Sequence, residues 1–386
     1  MNTTSVHSSE LADELCSAAF SALRRSDQRR RGHQYVHGLL STRGRRSIRN
    51  IAGVLGGAAA AQSLHHFVHS STWDWMTVRD LLVRALRERV RPVGWVVRPL
   101  SIPKTGGHSV GVSTNSNSQY AFGLWMVTPG FSVPVNWRLF LAPEWVTDED
   151  RRHQAGIPTE VRPESPAQCA TSVLLEAVRR WGPLGAPVIF DGVGSAEAVS
   201  GGELAGAEFP FLMGTTPSLR CTVAEARLPG YGCGPVSAGY LLDSVRGLRR
   251  PVEWTDPDTG ATVASSAVSA KILVAGHHHG TGGGADRRVP FRLVGEWEDP
   301  QRPPRRLWLT NAHTPPVETL VRSTRLTARV AADACEIGDA VGMRDFEGRS
   351  FPGWHRHVTL ASIAHAARAL ARAEEGRSAQ RTPLPA

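Results

Sequence analysis

At Gly94 the hydrophobic pattern changes period, and this change constrains the fold more than any single motif. Before it, apolar residues recur at helical spacing. "DWMTVRDLLVRALRERV" places Val78, Leu81, Leu82, Ala85 and Leu86 on one helix face. "RRSIRNIAGVLG" predicts a helix closed at Gly56 and Gly57, and "AAAAQSLHHFVHSS" predicts a second. After Gly94 come "GWVVR", "HSVGVS", "YAFGLWMVTP" and "SVPVNWRLFLAP", short strand-like runs divided by turn residues. A helix over about 166–181, the apolar run "APVIFDGVGS" and a strand "EFPFLMG" follow. Strands, a crossover helix and another strand predict a mixed α/β sheet. Residues from about 215 to 310 are Gly- and Pro-rich with pieces such as "SAKILVAG" and "VPFRLVGEW", which predict a β-rich insertion. Helix returns near 316–340 and in "HRHVTLASIAHAARALARAEE".

These shifts divide the chain into a flexible basic segment (1–32), a helical DNA-binding domain (33–92) and a first core part (93–214). The β-rich insertion (215–312), a helical completion of the core (313–372) and a disordered tail (373–386) follow. A net charge of +9 favours a polyanionic partner, nucleic acid first. Only Lys104 and Lys271 are lysines, so clustering of arginine carries more weight than its number. Arg43, Arg45, Arg46 and Arg49 form the densest cluster and are the phosphate-contact candidates, with Arg29, Arg30 and Arg31 as an arm. Lys104 and Arg356, the latter beside Trp354, join them. The five cysteines form no CxxC pair, and the apolar run 51–61 is too short to span a bilayer. A cytoplasmic, nucleoid-associated protein without membrane attachment is expected, with homo-oligomerisation left open. His277, His278 and His279 alternate sides of a strand or loop, so they make a poor zinc site. His355 and His357 read as capping and packing residues rather than ligands.

"GWVVRPLSIPKTGGHSVGV" poses the functional question. A strand ending at an active site often delivers an acid, and this one delivers Arg98, Pro99 and Leu100. Further on, "VIFDGVGS" closes an apolar strand with Asp191. The blocks "YVHGLLSTRGRRSIRNIAG", "SLHHFVHSSTWDWMTVRDLL", "IPKTGGHSVGV", "PVNWRLFLAPEWVTDEDRRHQAGIP" and "FEGRSFPGWHRHVTLASIAHA" occur in order. In these blocks the chain resembles bacterial insertion-sequence transposases of the DDE type, in the branch with a β-strand insertion before the last acid. The resemblance implies a ribonuclease-H-like mixed sheet with a β-rich insertion and an N-terminal all-helical domain. It also implies two divalent metals held between carboxylates from two strand ends and one later helix.

Carried over by position, the first acid of that pattern falls at Arg98 and Pro99, and the second is Asp191. The signature Tyr-x2-Arg-x3-Glu-x6-Lys falls on Thr324, Thr327, Ala331 and Gly338, none of which matches. Asp333 and Glu336 lie nearby but about 200° and 140° round the helix from position 331. Asp191 is thus the sole retained acid, and the Mg²⁺ site the resemblance implies is expected to be lost, leaving no cofactor. The expected function is DNA binding without metal-dependent strand cleavage, by a domesticated or decayed transposase. Two other readings stay open. One is an active enzyme with relocated acids, Asp191 with Glu336 or Glu197. The other is a cleft recruited for small-molecule chemistry around Arg98 and Asp191. Arg98 and Asp191 could equally form a structural salt bridge.

Overall fold

Capping chemistry sets the helix ends of the first ninety residues. The protein is described by a computed structural model covering residues 3–113, 117–192, 204, 206–255, 261–276 and 288–381. Its first helices are α1 (Thr3–Ala19), α2 (Ser26–Ser41), α3 (Ile48–Leu55), α4 (Ala58–His65) and α5 (Trp75–Arg89). The Ser47 hydroxyl accepts the Asn50 amide to open α3, and Gly56, at φ 128°, closes it as the sequence predicts. Asp74 accepts the amides of Met76 and Thr77 to open α5. Val78, Leu82, Ala85 and Leu86 are buried there, Leu81 is half-buried, and Arg79 is buried among them.

Residues 3–32 are not a flexible arm. Helix α1 buries Leu11, Leu15, Cys16 and Ala19, and this apolar stripe seats it in the core. Arg29, Arg30 and Arg31 lie within α2, where Arg29 donates to the Leu23 carbonyl and Arg31 to Gln34.

From Gly94 the chain builds one 12-stranded sheet. Its strands begin with β1 (Gly94–Pro103), β2 (Val112–Ser113), β3 (Ser118–Val127) and β4 (Ser132–Leu139). Helices α6 (Glu144–Thr147), α7 (Glu149–Ala155) and α8 (Pro166–Trp181) precede β5 (Val188–Phe190) and β6 (Phe211–Thr215). A reciprocal cap between Ser165 and Gln168 starts α8. Strands β4, β3 and β1 pair antiparallel in that order, and β5 then β6 continue parallel to β1. That order, three antiparallel strands followed by two parallel ones, is ribonuclease-H-like.

The β-rich residues extend this same sheet. They comprise β7 (Arg220–Val223), β8 (Pro235–Ser237), helix α9 (Ala238–Ser244), β9 (Arg250–Thr255), β10 (Thr262–Ala275), β11 (Arg288–Trp297) and β12 (Arg306–Thr310). Strand β12 pairs with β6, and β11, β10, β7 and β8 follow outward. The insertion is therefore hydrogen-bonded to the core strands.

The helix expected over 316–340 divides into α10 (Val317–Thr324) and α11 (Leu326–Asp333), with tighter and wider turns over 334–341. The last helix, α12 (Phe351–Arg381), continues well beyond residue 373 where a disordered tail was expected. From Val358 to Ala371 nearly every residue of α12 is buried, because it lies between β4 and helices α1, α2 and α5. Arg79, only 1% exposed, crosses this junction. It donates to Thr359 Oγ1 at 2.8 Å, Asn136 Oδ1 at 3.0 Å and the Trp137 carbonyl at 3.0 Å. The N-terminal helices and the sheet thus share one hydrophobic core. Among the described residues no helix is long and apolar enough to cross a membrane.

Candidate functional site at the parallel strand ends

Strands β1 and β5 run side by side in the register Val97 to Phe190, and the Asp191 amide donates to the Val97 carbonyl at 2.8 Å. One step further along each strand, Arg98 and Asp191 must lie together. Arg98 Nη1 donates to Asp191 Oδ2 in an ion pair whose side chains are 29% and 24% exposed. Arg306 stands at the start of β12, next to the residue that pairs with Thr215 at the end of β6. Burial pushes the Asp191 carboxyl above its ordinary range, although the positive charges of Arg98 and Arg306 oppose that shift.

Among the described residues, this end of the sheet does not fit a pair of divalent metals. Hard cations need several oxygen ligands, and two-metal catalysis needs carboxylates converging from separate elements. Here a guanidinium occupies the Asp191 oxygen, and a second cation lies near. The helix carrying position 331 is held by contacts that need no metal. The side chain of Leu326 at the start of α11 fills the space beside Gly94. At the end of α11, Asp333 Oδ2 accepts the Ser132 amide at 2.6 Å and the Ser132 hydroxyl at 2.7 Å. Gly94, Val127 and Ser132 are register partners at the β1 end remote from Pro103. Thr324, Thr327, Ala331 and Gly338 all ride on this segment. Asp333 turns away from position 331 as its helical angle predicts, and burial raises its carboxyl despite the two Ser132 bonds. Glu336 accepts from Arg372 on α12 at 3.2 Å. Neither acid is presented to Asp191. Glu197 and the run His277 to His279 lie outside the described residues.

A second site forms where β1 ends. Lys104 Nζ donates to the Phe346 carbonyl, and burial together with Arg45 lowers its ammonium to about 8. Arg45 pairs with Glu347 at 3.1 Å, and the Arg46 amide donates to Asp345 at 2.7 Å. Two adjoining cavities of about 670 and 530 Å³ share Asp345, Phe346, Glu347 and Arg349 as their common wall. Arg45, Lys104, His108 and Arg344 line the first; Arg46, Arg49 and His69 line the second. Three segments far apart in sequence, 45–49, 102–109 and 344–350, thereby converge on one basic groove.

The candidates divide clearly. Arg45, Arg46, Arg49 and Lys104 meet in this groove, whereas Arg43 is exposed and lines neither cavity. Arg356 is a correction. It is 6% exposed and donates to the carbonyls of Val68, His69 and Trp73, between the rings of Trp73 and Trp75. Trp354 is fully buried beside it. His355 and His357 pack as expected: His355 lies against Arg79, and His357 contacts the Tyr35 hydroxyl and the Gly342 carbonyl. Arg306, Arg344 and Arg349 were not singled out from the sequence. Arg349 sits in the quoted block "FEGRS", which was the available signal.

A family model described as DDE superfamily endonuclease matches residues 19–267. No curated protein matches the chain.

Proposed function

The chain belongs to the DDE superfamily endonucleases, and from that premise we propose that it binds DNA without metal-dependent strand cleavage. The observation that carries this reading is the Arg98–Asp191 ion pair, one residue past the last parallel pair of β1 and β5, Val97 and Phe190. In the family pattern those positions supply the first two acids. A dication about 4 Å from a guanidinium is repelled by roughly 8 kcal/mol at an effective dielectric near 20. The basic groove around Lys104 and Arg349 supports the DNA half of the proposal, because it offers forked guanidinium donors to phosphate oxygens.

The test uses the purified full chain with duplex DNA in Mg²⁺ or Mn²⁺. Binding should fall steeply with salt, and no nicked or joined product should form. Metal-dependent cleavage that Asp191→Ala abolishes would refute the loss of catalysis. Absence of DNA affinity at low salt would refute the binding role.

A further inference from the structure

Outside both sites, three metal-ligating side chains converge between the first two helices. His33 and His37 are four residues apart on α2 and so share one face. Asp13 projects toward them from α1. His37 Nε2 lies 2.7 Å and His33 Nδ1 3.2 Å from the same oxygen, Asp13 Oδ1. One ligand atom from each residue lies within 4.8 Å of the other two.

We propose that Asp13, His33 and His37 form a binding site for a divalent transition metal, zinc by chemistry, which ties α1 to α2. Two imidazoles and one carboxylate suit zinc, with bonds of about 2.0–2.2 Å and a fourth position left to water. Tetrahedral ligands on such bonds stand roughly 3.3 Å apart. The separations of 2.7 and 3.2 Å both fall just short of that spacing, so the carboxylate must draw back from the rings by about 0.1–0.6 Å to admit an ion. The frame around them is fixed. Leu11, Leu15, Cys16 and Ala19 hold the other face of α1 in the core, which sets the position of Asp13. The His33 ring packs edge-on against buried Phe20 at 5.8 Å, which sets its orientation. On binding, the metal takes the place of the two protons that now bridge the imidazoles to Asp13 Oδ1. Each imidazole then carries its proton on the nitrogen away from the metal. The site is unrelated to the Arg98–Asp191 pair and needs no cleavage chemistry.

The experiment is calorimetric titration of zinc into the chelator-stripped full chain, beside Asp13→Asn, His33→Gln and His37→Gln. Far-UV circular dichroism checks that each variant folds. Wild type should bind an equivalent of zinc that each variant binds on the order of a hundredfold or more weakly. Hydrogen exchange of the α1 and α2 amides should slow on adding zinc in wild type alone. Zinc uptake equal in all four proteins would overturn the proposal. So would loss of that equivalent on replacing His277, His278 and His279 by alanine while the α2 variants keep it.

Discussion

Arg98→Ala removes a cation from beside a carboxylate that burial already pushes above its ordinary range. At an effective dielectric near 20, unit charges about 4 Å apart attract by about 4 kcal/mol. Removing one partner of a fully buried pair costs about 3–5 kcal/mol, because the other charge is left uncompensated. The two side chains retain 29% and 24% exposure, and Arg306 remains near Asp191, so we expect a cost of about 2 kcal/mol at pH 7.5. The raised carboxyl shows that desolvation outweighs the attraction. Replacing both residues by leucine should therefore fall within about 1 kcal/mol of wild type. The cycle is then strongly non-additive.

The pH dependence has a definite sign. A carboxyl raised in the folded state makes the native protein hold its proton where the unfolded chain has released it. Its contribution to stability falls as pH rises from the unfolded pKa through the folded one. Removing Arg98 raises the Asp191 carboxyl further, so the deficit of Arg98→Ala should shrink as pH falls from 7.5 toward 5. Urea unfolding followed by tryptophan fluorescence reads both effects. A variant within about 0.5 kcal/mol of wild type at every pH would refute the structural role of the pair.

The groove predicts that Arg45→Ala, Arg49→Ala and Lys104→Ala each weaken DNA binding and lower the slope of log affinity against log salt by about 1. Arg356→Ala should leave that slope unchanged and lower the melting temperature instead, since its guanidinium serves buried carbonyls. Asp333→Ala strands the buried Ser132 amide and hydroxyl and should cost about 2–3 kcal/mol in urea unfolding. Burial lowers His69 and His357 to about 4 and His365 to about 3. The native state keeps these rings neutral while the unfolded chain takes up protons below about pH 6.5, so stability falls with pH there. Each ring contributes up to about 1.4 kcal/mol per pH unit until its folded pKa is reached, which urea midpoints at pH 6.5, 5.5 and 5 measure.

The pairing of Arg98 with Asp191 was legible in the sequence because it needs only two facts. Arg98 follows one apolar run and Asp191 another, and a crossover helix between such strands lets them lie parallel. Arg356 was not legible. Its partners are carbonyls at residues 68, 69 and 73, freed by the wide turn that ends near Ser70, and no local pattern reports them. The arginine-rich start of the chain misled for a related reason. The charges of α2 face outward, while the stripe from Leu11 to Leu23 decides that the segment docks. The groove lay between these extremes. Each of its three segments was visible as a block, but only the folded chain brings Lys104 to Phe346 and Arg45 to Glu347.

On the proposed reading, the acid positions at Arg98 and Ala331 are linked by what holds α11 in place. In the family pattern, metals between strand-end acids and the helix acid would tie that helix to the active end of β1. Here the ties need no metal. Leu326 packs at Gly94, Asp333 binds Ser132, and Arg325 pairs with Glu296 while stacking on Trp254 at 4.7 Å. The Gly94 and Ser132 anchors pull toward the end of β1 away from Arg98. A single Ala331→Glu change would leave the Arg98 guanidinium on Asp191. A single Arg98→Asp change would place two half-buried carboxylates side by side, and their repulsion would favour protonation of one. Neither single step rebuilds a dication site, so on the proposed reading the loss of cleavage is sustained by packing and charge together.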